Sequence, residues 1–427
     1  MEERIEMAIL STGPIENNAV SDVRPTQQVT VKIDNRNSLD GSVVLIQGYN
    51  LTFTRTLYVS EQISLAPDQV VTRTYFANLD AFEFVFTVEG VAIEQTEISV
   101  WGKNEIGQLV AAHRLVSSEL EIEGDNTSVN RIYVANFNSN DVSVINGETN
   151  TVIATIPVGT NPAGIDVNPL TSRVYVANRG SNTISVINSL TNAVIASVPV
   201  GSEAGDVGVD IATNAIYTAN FNSLDTTEDV TVIDGLTNTV IDTITIPGLN
   251  FLTGIGVNSL TNRIYAVNFN SDTVSVIDGV TNTVIATIPV QVNPFRVGVN
   301  PATNRIYVSN FTSNTVSVID GVTNTVIDTI PVGVTPAEVA VNTSTNAIYV
   351  PNRDTDNVSV ISGLTNIVIA TVPVGVNPNG AGANPLTNRV YISNQDDNTI
   401  SVIDGETNTV IATIPVGARP FAVGVNP

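Results

Sequence analysis

The sequence predicts an all-β protein, an N-terminal β-sandwich followed by a seven-bladed β-propeller that is closed by its own C-terminal strand. Three observations carry that expectation. A Tyr-x-x-Asn signature returns seven times at nearly constant spacing, each interval holds four short β-type runs, and the first 120 residues contain β-type runs but none of the period. Four strands per repeat, separated by tight turns, is the composition of a propeller blade, which cannot bury its faces alone and stacks on its neighbours.

Residues 1–20 mix apolar and polar types around Gly13-Pro14 and read as an N-terminal arm, a free tail in preference to a docking segment. Residues 21–120 form the sandwich domain. Its runs are Gln28 to Ile33, Ser42 to Gly48, Thr54 to Ser60, Val70 to Phe76, Phe82 to Val88, Glu97 to Trp101 and Leu109 to Val116. Pro25, Asn35, Gly41, Pro67, Gly90 and Gly107 punctuate them. Short strands with turn residues at such intervals predict a sandwich. A hydrophilic stretch from Glu119 to Asn126 follows, and 121–130 is the linker.

The propeller occupies 131–427. The signature tyrosines are Tyr133, Tyr175, Tyr217, Tyr265, Tyr307, Tyr349 and Tyr391, spaced by 42, 42, 48, 42, 42 and 42 residues. In one unit the runs are Gly164 to Val167, Val174 to Ala177, Thr183 to Ile187 and Ala193 to Val198, rich in Val, Ile, Thr and Tyr. Asn146-Gly147, Asp234-Gly235, Asp278-Gly279, Asp320-Gly321 and Asp404-Gly405 supply hairpin turns between the third and fourth runs. The fourth run ends in a proline (Pro157, Pro199, Pro247, Pro289, Pro331, Pro373, Pro415), which lacks a ladder donor and so marks the sheet edge. The first repeat starts at its second strand, whereas the chain ends on an unpartnered first strand, Pro420 to Pro427. The last strand is therefore expected to complete the first blade and remove an open edge.

On the phrases RIYVANFNSNDVSVI, TNTVIATIPVG and NPAGIDVNP, the chain from 131 to 427 resembles the YVTN-type propeller repeats of bacterial and archaeal surface proteins. No copy is literally Tyr-Val-Thr-Asn; the signatures read YVAN, YTAN, YAVN, YVSN, YVPN and YISN. The resemblance implies a scaffold in a surface setting, not one reaction. The stretch GYNLTFTRTLYVSEQISLAPDQVVTRTYFANLDAFEFVFTVEG is similar to a module of spore and surface proteins from Bacillus-like bacteria, which implies localisation at a spore or cell surface.

Composition excludes several classes. There is no Cys and a single His, His113, so disulfides, thiolate sites, cysteine nucleophiles and His-based metal clusters are excluded. A formal charge of −24, with nine arginines in 131–427 and no lysine after position 103, argues against a nucleic-acid partner. No apolar window is long enough for a spanning helix, so no membrane insertion is expected. The acidic start, Met1-Glu2-Glu3-Arg4, has neither a basic n-region nor an h-region. The chain either bypasses a signal-peptide route or begins at a mature end. His113 alternates with Leu109, Ala111 and Leu115 on one strand face, without a nucleophile elbow nearby. Trp101, the one tryptophan, argues against tryptophan-docked blades.

Candidate site residues come from variation among the repeats. At the crossing into the inner strand, the position of Gly164 becomes Asp206, Gly254, Arg296, Glu338, Gly380 and Ala422. Asp206, Arg296 and Glu338 thus stand at the axial mouth, with Phe251, Phe295, Asn379, Arg419 and Phe421 beside them as a ligand-binding patch. The plainer reading pairs Arg296 with Glu338 structurally. Two residues further along the inner strand, Asp166, Gly208, Gly256, Gly298, Ala340, Gly382 and Gly424 read as small residues that let blades converge. The seven signature asparagines read as turn caps and the tyrosines as blade packing. The long third unit carries Asp225, Glu228 and Asp229, hard ligands suited to Ca²⁺, but without calcium-loop spacing a solvated acidic loop is the preferred reading.

The function expected from these residues is a non-enzymatic surface or spore-layer protein without cofactor or catalytic residue. Its sandwich attaches, its propeller displays, and its partners are surface proteins or glycans, with self-assembly through the N-terminal domain. Two alternatives stand beside it: a metal-dependent lactonase or lyase of propeller type, and a carbohydrate- or peptide-binding receptor at the axial mouth.

Overall fold

The computed structural model divides into two compact units, Met1–Thr127 and Ser128–Pro427. It describes residues 130–221, 228–246 and 251–427, and before them 7–11, 15–16, 28–35, 42–51, 56–77, 79, 81–89, 96–103, 109–116 and 121–122.

In the first unit, one antiparallel sheet orders Glu121–Ile122, Met7–Ser11, Ala81–Glu89, Ser42–Asn50 and Thr56–Leu65, with Ile15–Glu16 also on Ala81–Glu89. A second orders Val70–Phe76, Gln28–Asn35, Thr96–Lys103 and Leu109–Val116. The described residues of all seven runs read from the sequence lie in strands. Because strand side chains alternate, Val29, Val31, Ile33, Ile98 and Val100 share one face, and they enter a single apolar cluster with Val44, Ile46, Phe82, Phe84 and Phe86 of the other sheet. Within the segment expected as an arm, Met7–Ser11 pairs with Ala81–Glu89, and Glu121–Ile122 pairs with it in turn. The side chains of Trp101 and His113 lie outside the described residues.

The second unit is a multi-bladed β-propeller, and its described residues form seven four-stranded antiparallel sheets. One runs Pro162–Asn168, Arg173–Asn178, Thr183–Asn188 and Ala193–Pro199 in spatial order, so the proline-ended strand is the outer edge. Closure follows the expected route. Pro420–Asn426 pairs with Arg131–Asn136 in the register Arg131↔Asn426 and Tyr133↔Gly424.

Apolar contacts lie between successive sheets, not inside one. Tyr133, Val142 and Val144 pack against Ile165, Val167, Val174 and Val176 of the next sheet. This two-sided burial explains the near-continuous Val/Ile runs. All seven signature tyrosines are buried, as blade packing requires. The signature asparagines are buried as well; Asn178 Nδ2 donates to Ser185 Oγ at 2.9 Å and Asn310 Nδ2 to Ser317 Oγ at 3.0 Å, which fastens the second strand to the third. They are clasps and not a ligand ring. Neighbouring blades are also joined by asparagine pairs, Asn168 to Asn214, Asn258 to Asn304, Asn300 to Asn346 and Asn342 to Asn388, each at 2.8 Å. Asn384 to Asn130, at 3.0 Å, bridges the last and first repeats.

Deleting Ala422 to Pro427 removes most of the closing strand, including the buried Ala422 and Val423, and leaves Arg131–Asn136 as an open edge. The expected loss is at least about 3 kcal/mol, from lost apolar burial alone, with a broadened melt. A truncated chain that melts as sharply and as high as the full one by calorimetry contradicts closure.

Candidate active site

The inner strands converge on the axis, and their crossings bring three of the sequence-selected residues together. Arg296 Nε lies 3.4 Å from Glu338 Oε2, with the Arg296 side chain 5% and the Glu338 side chain 20% exposed. Asp206 faces the same guanidinium electrostatically. Asp206 and Glu338 line an axial channel of ≈ 260 Å³ together with Asp166, Val209, Val257 and Val299. Arg296 instead lines a second cavity of ≈ 240 Å³ at the mouth, where Phe295, Arg419 and Phe421 also stand. The Arg296–Glu338 pair thus spans from one cavity to the other.

Local sequence explains the placement of Glu338. In the other repeats the residue before the signature Asn is Ala, Val or Ser, but here it is Pro351. Proline offers no N–H to the neighbouring strand, and the inner strand of this blade shrinks to Ala340–Asn342 with an isolated bridge at Pro336. The Glu338 backbone N–H donates to the Asn379 carbonyl of the following repeat, at 3.1 Å.

Electrostatics follow from burial. It pushes the Glu338 carboxyl up to about 7 against the pull of Arg296, with Asp206 adding to the rise. Burial also raises Asp206, partly offset by Arg296 and by the Ile255 N–H, which donates to Asp206 Oδ2 at 3.0 Å. Asp166 is pushed up to about 7 by burial, even though its oxygens accept from the Val167 and Val209 backbone N–H groups, each at 2.8 Å. Carboxyls that titrate near neutrality beside a guanidinium can both take and give protons.

Not every expected residue belongs to the site. Asn379 is buried at the joint between repeats, where its Nδ2 donates to the Phe421 carbonyl at 3.2 Å, and it lines neither cavity. Asp229 accepts from Asn220 Nδ2 at 2.5 Å and so serves as a clasp partner. Asp225 and the Glu228 side chain fall outside the described residues. Asp166 was overlooked among small residues, although it is the one charged member of a position otherwise Gly or Ala. Arg179, Glu203 and Arg353, which also line the mouth, were missed as well. Arg179 and Arg353 directly follow a signature Asn, where the other repeats carry Phe or Gln, and that variation was a readable signal.

The donor set does not fit a resident metal. Among the described residues no three His, Cys, Asp or Glu side chains are grouped to hold an ion. Asp166 spends both oxygens on backbone N–H groups and Glu338 is engaged by a guanidinium.

No family model matches the chain, and no curated protein sequence matches it. Solved structures do. Hydrazine synthase from Kuenenia stuttgartiensis aligns with a TM-score of 0.58 at 18% identity, over 64% of this chain and 92% of that one. A 6-phosphogluconolactonase-like protein from Bacteroides uniformis aligns with a TM-score of 0.58 at 16% identity, over 69% and 99%. The dihydro-haem d1 dehydrogenase NirN aligns with a TM-score of 0.53 at 12% identity, over 69% and 75%. At such identities the likeness establishes the multi-bladed propeller fold. It also removes the ground for the expectation that a chain of this fold is no enzyme, since solved propellers like it bear the names of a synthase, a dehydrogenase and a lactonase, names that belong to those proteins. The physical reason lies on the axis: a scaffold needs only small apolar residues there, and this chain gathers three half-buried carboxyls and a buried guanidinium.

Proposed function

We propose that the chain is a propeller enzyme of lactonase or lyase type, with its active site where the axial channel meets the mouth cavity, at the Glu338–Arg296 pair. The observation that carries this reading is the Glu338 carboxyl, set at about 7 beside the Arg296 guanidinium in a channel. For a lactone, the Glu338 carboxylate takes a proton from water as that water adds to the ring carbonyl, and Arg296 offers N–H groups to the oxyanion that forms. Collapse breaks the acyl C–O bond, and the leaving alkoxide recovers the proton from Glu338. A lyase uses the same two groups: the carboxylate removes the proton next to a carbonyl, the guanidinium holds the resulting enolate, and its collapse to a conjugated C=C breaks the bond to a β-oxygen leaving group, which takes the proton back from Glu338. The metal dependence expected of this alternative is not part of the proposal.

The finer architecture belongs to the same reading: seven blades of YVTN type and an N-terminal sandwich. The repeat phrases support placement at a spore or cell surface, with the sandwich as the attachment module toward a surface protein or glycan.

Full-length protein assayed against a panel of lactones, with and without Ca²⁺ or Mg²⁺, is expected to hydrolyse at least one, and Glu338→Gln to lower kcat by about 10²-fold or more while staying folded at the assay temperature. A panel without turnover, or a Glu338→Gln variant as active as the parent, rejects the assignment.

A second outcome concerns pH. A carboxyl with a folded pKa above its unfolded value binds more protons in the native state between those values. Stability conferred by the protonated form is therefore lost as pH rises from about 4.5 toward 7. Calorimetry across pH 5 to 7.5 should show a falling Tm, less steep in Glu338→Gln. A Tm that rises through this window contradicts the raised Glu338 and Asp166.

A further inference from the structure

The propeller's arginines are not scattered. Of nine, Arg131, Arg173, Arg263, Arg305 and Arg389 occupy one repeat position at the start of the second strand. The four others, Arg179, Arg296, Arg353 and Arg419, come from different loops and crossings, and all four line the mouth cavity. Each also sits over a phenylalanine ring, Arg179 on Phe221, Arg296 on Phe295, Arg353 on Phe311 and Arg419 on Phe137, at 4.8 to 5.9 Å.

Their charges are unequally compensated. Arg179 Nη2 pairs with Glu203 Oε2 at 2.7 Å, and Arg296 pairs with Glu338. Arg353 is held only by neutral amide oxygens, its Nε donating to Asn377 Oδ1 at 2.9 Å and its Nη2 to Gln395 Oε1 at 3.4 Å. Among the described residues no carboxylate lies in ion-pair range of Arg353 or Arg419. Asp354 and Asp396 act on Arg353 at longer range, yet burial, with repulsion from Arg419 and Arg296, still holds its guanidinium below the ordinary value. The rings under the arginines extend into an aromatic wall: Phe251 touches Phe221 at 3.8 Å between ring centroids and Phe269 at 5.5 Å, and Phe295 meets Phe311 at 5.5 Å.

The backbone gives an independent indication. The residue ending each crossing turn has φ of 51° to 55°, a left-handed conformation that asparagine tolerates best. Asn161, Asn293 and Asn377 occupy it in three repeats, whereas Glu203, Phe251, Thr335 and Arg419 occupy it in four. Three of those four line the mouth. There the side chain is retained at the expense of backbone comfort, the signature of a functional position.

We propose that the mouth binds a small organic oxyanion, a carboxylate or a phosphate monoester, with its anionic group between Arg353 and Arg419 and its apolar or ring body against Phe251 and Phe295. A cavity of ≈ 240 Å³ sets the size at a small molecule. That the anion is the substrate rests on the active site lying at the Glu338–Arg296 pair; binding by the mouth does not.

Titration calorimetry on the full chain with benzoate, phenyl phosphate, inorganic phosphate and benzyl alcohol tests this without turnover. Benzoate or phenyl phosphate should bind at least tenfold more tightly than benzyl alcohol, and whichever binds better identifies the anion class. Inorganic phosphate should bind more weakly than phenyl phosphate because it lacks the ring. Arg353→Gln and Arg419→Asn should each weaken binding at least tenfold. Arg419→Asn restores the residue that other repeats use and should melt no lower than the parent, which separates lost recognition from lost folding. Equal binding of benzyl alcohol and the anions, no binding of either ring anion at millimolar concentration, or affinity unchanged in both variants overturns the proposal. A protein that binds the anion but turns over no lactone keeps this inference and loses the enzymatic one.

Discussion

Crowding at the axis governs the propeller. Seven inner strands approach one another so closely that a Cβ on Gly298 would fall 2.5 Å from the Val339 carbonyl oxygen, and one on Gly380 would fall 2.1 Å from the Phe421 carbonyl oxygen. Glycine there is a requirement of close backbone approach. Against this requirement Asp166, Asp206, Arg296 and Glu338 are exceptions, and each must find partners because a buried charge without them is costly. Two of them find the neighbouring backbone: Asp166 Oδ2 takes the Val209 N–H and Asp206 Oδ2 the Ile255 N–H, both in the following blade. An inner strand has its axis-facing edge free, and such N–H groups need acceptors. These aspartates therefore stitch blades together while staying poised to titrate. The ion pair of Arg296 with Glu338 completes the arrangement.

Asparagine solves the opposite problem, at the turns. Left-handed residues such as Asn140, Asn150, Asn182 and Asn192 close the tight connections, and their short side chains tolerate that conformation. The same residue type clasps strands within a blade and joins one blade to the next. A ring built this way needs no Cys and no helix, apart from the short turn Arg353–Thr355 that displaces a regular loop beside Pro351. One chemistry thus serves turns, clasps and junctions, which is why departures from it, as at Glu203, Phe251 and Arg419, stand out.

Much of the fold was legible for that reason. Gly, Asn and Pro punctuate every strand, so boundaries such as Val70–Phe76 and Leu109–Val116 fall where the sequence puts them, and the missing inner strand of the first repeat pointed to Pro420–Asn426. Part of the site was legible too, since Asp206, Arg296 and Glu338 vary at one aligned position. Arg179 and Arg353 vary at the position after the signature Asn, but that they meet Glu203 at the mouth was not legible, because a shared destination depends on how far each turn carries its side chain toward the axis. Asp166 was hidden by its small neighbours. Periodicity reports which residues are equivalent; it does not report which non-equivalent ones meet.

The mouth also reverses the character of the whole chain. With a net charge of −24, the protein is repulsive to anions overall, and salt screens the positive field of the mouth beyond a Debye length, about 8 Å at physiological salt. Long-range steering cannot bring an anion to Arg353 and Arg419. Selection has to come from short-range contact in a cavity where screening is weak and aromatic walls exclude water. Under that constraint the four arginines do not function as a basic surface. They form a local exception in an acidic chain, linked to the channel carboxyls through Arg296, which lines the mouth and pairs with Glu338. An anion that engages the mouth draws on the same positive field that holds Glu338 and Asp206 down. Compensating that field should raise both carboxyls further, so occupancy of the mouth and protonation of the channel are coupled through a single guanidinium.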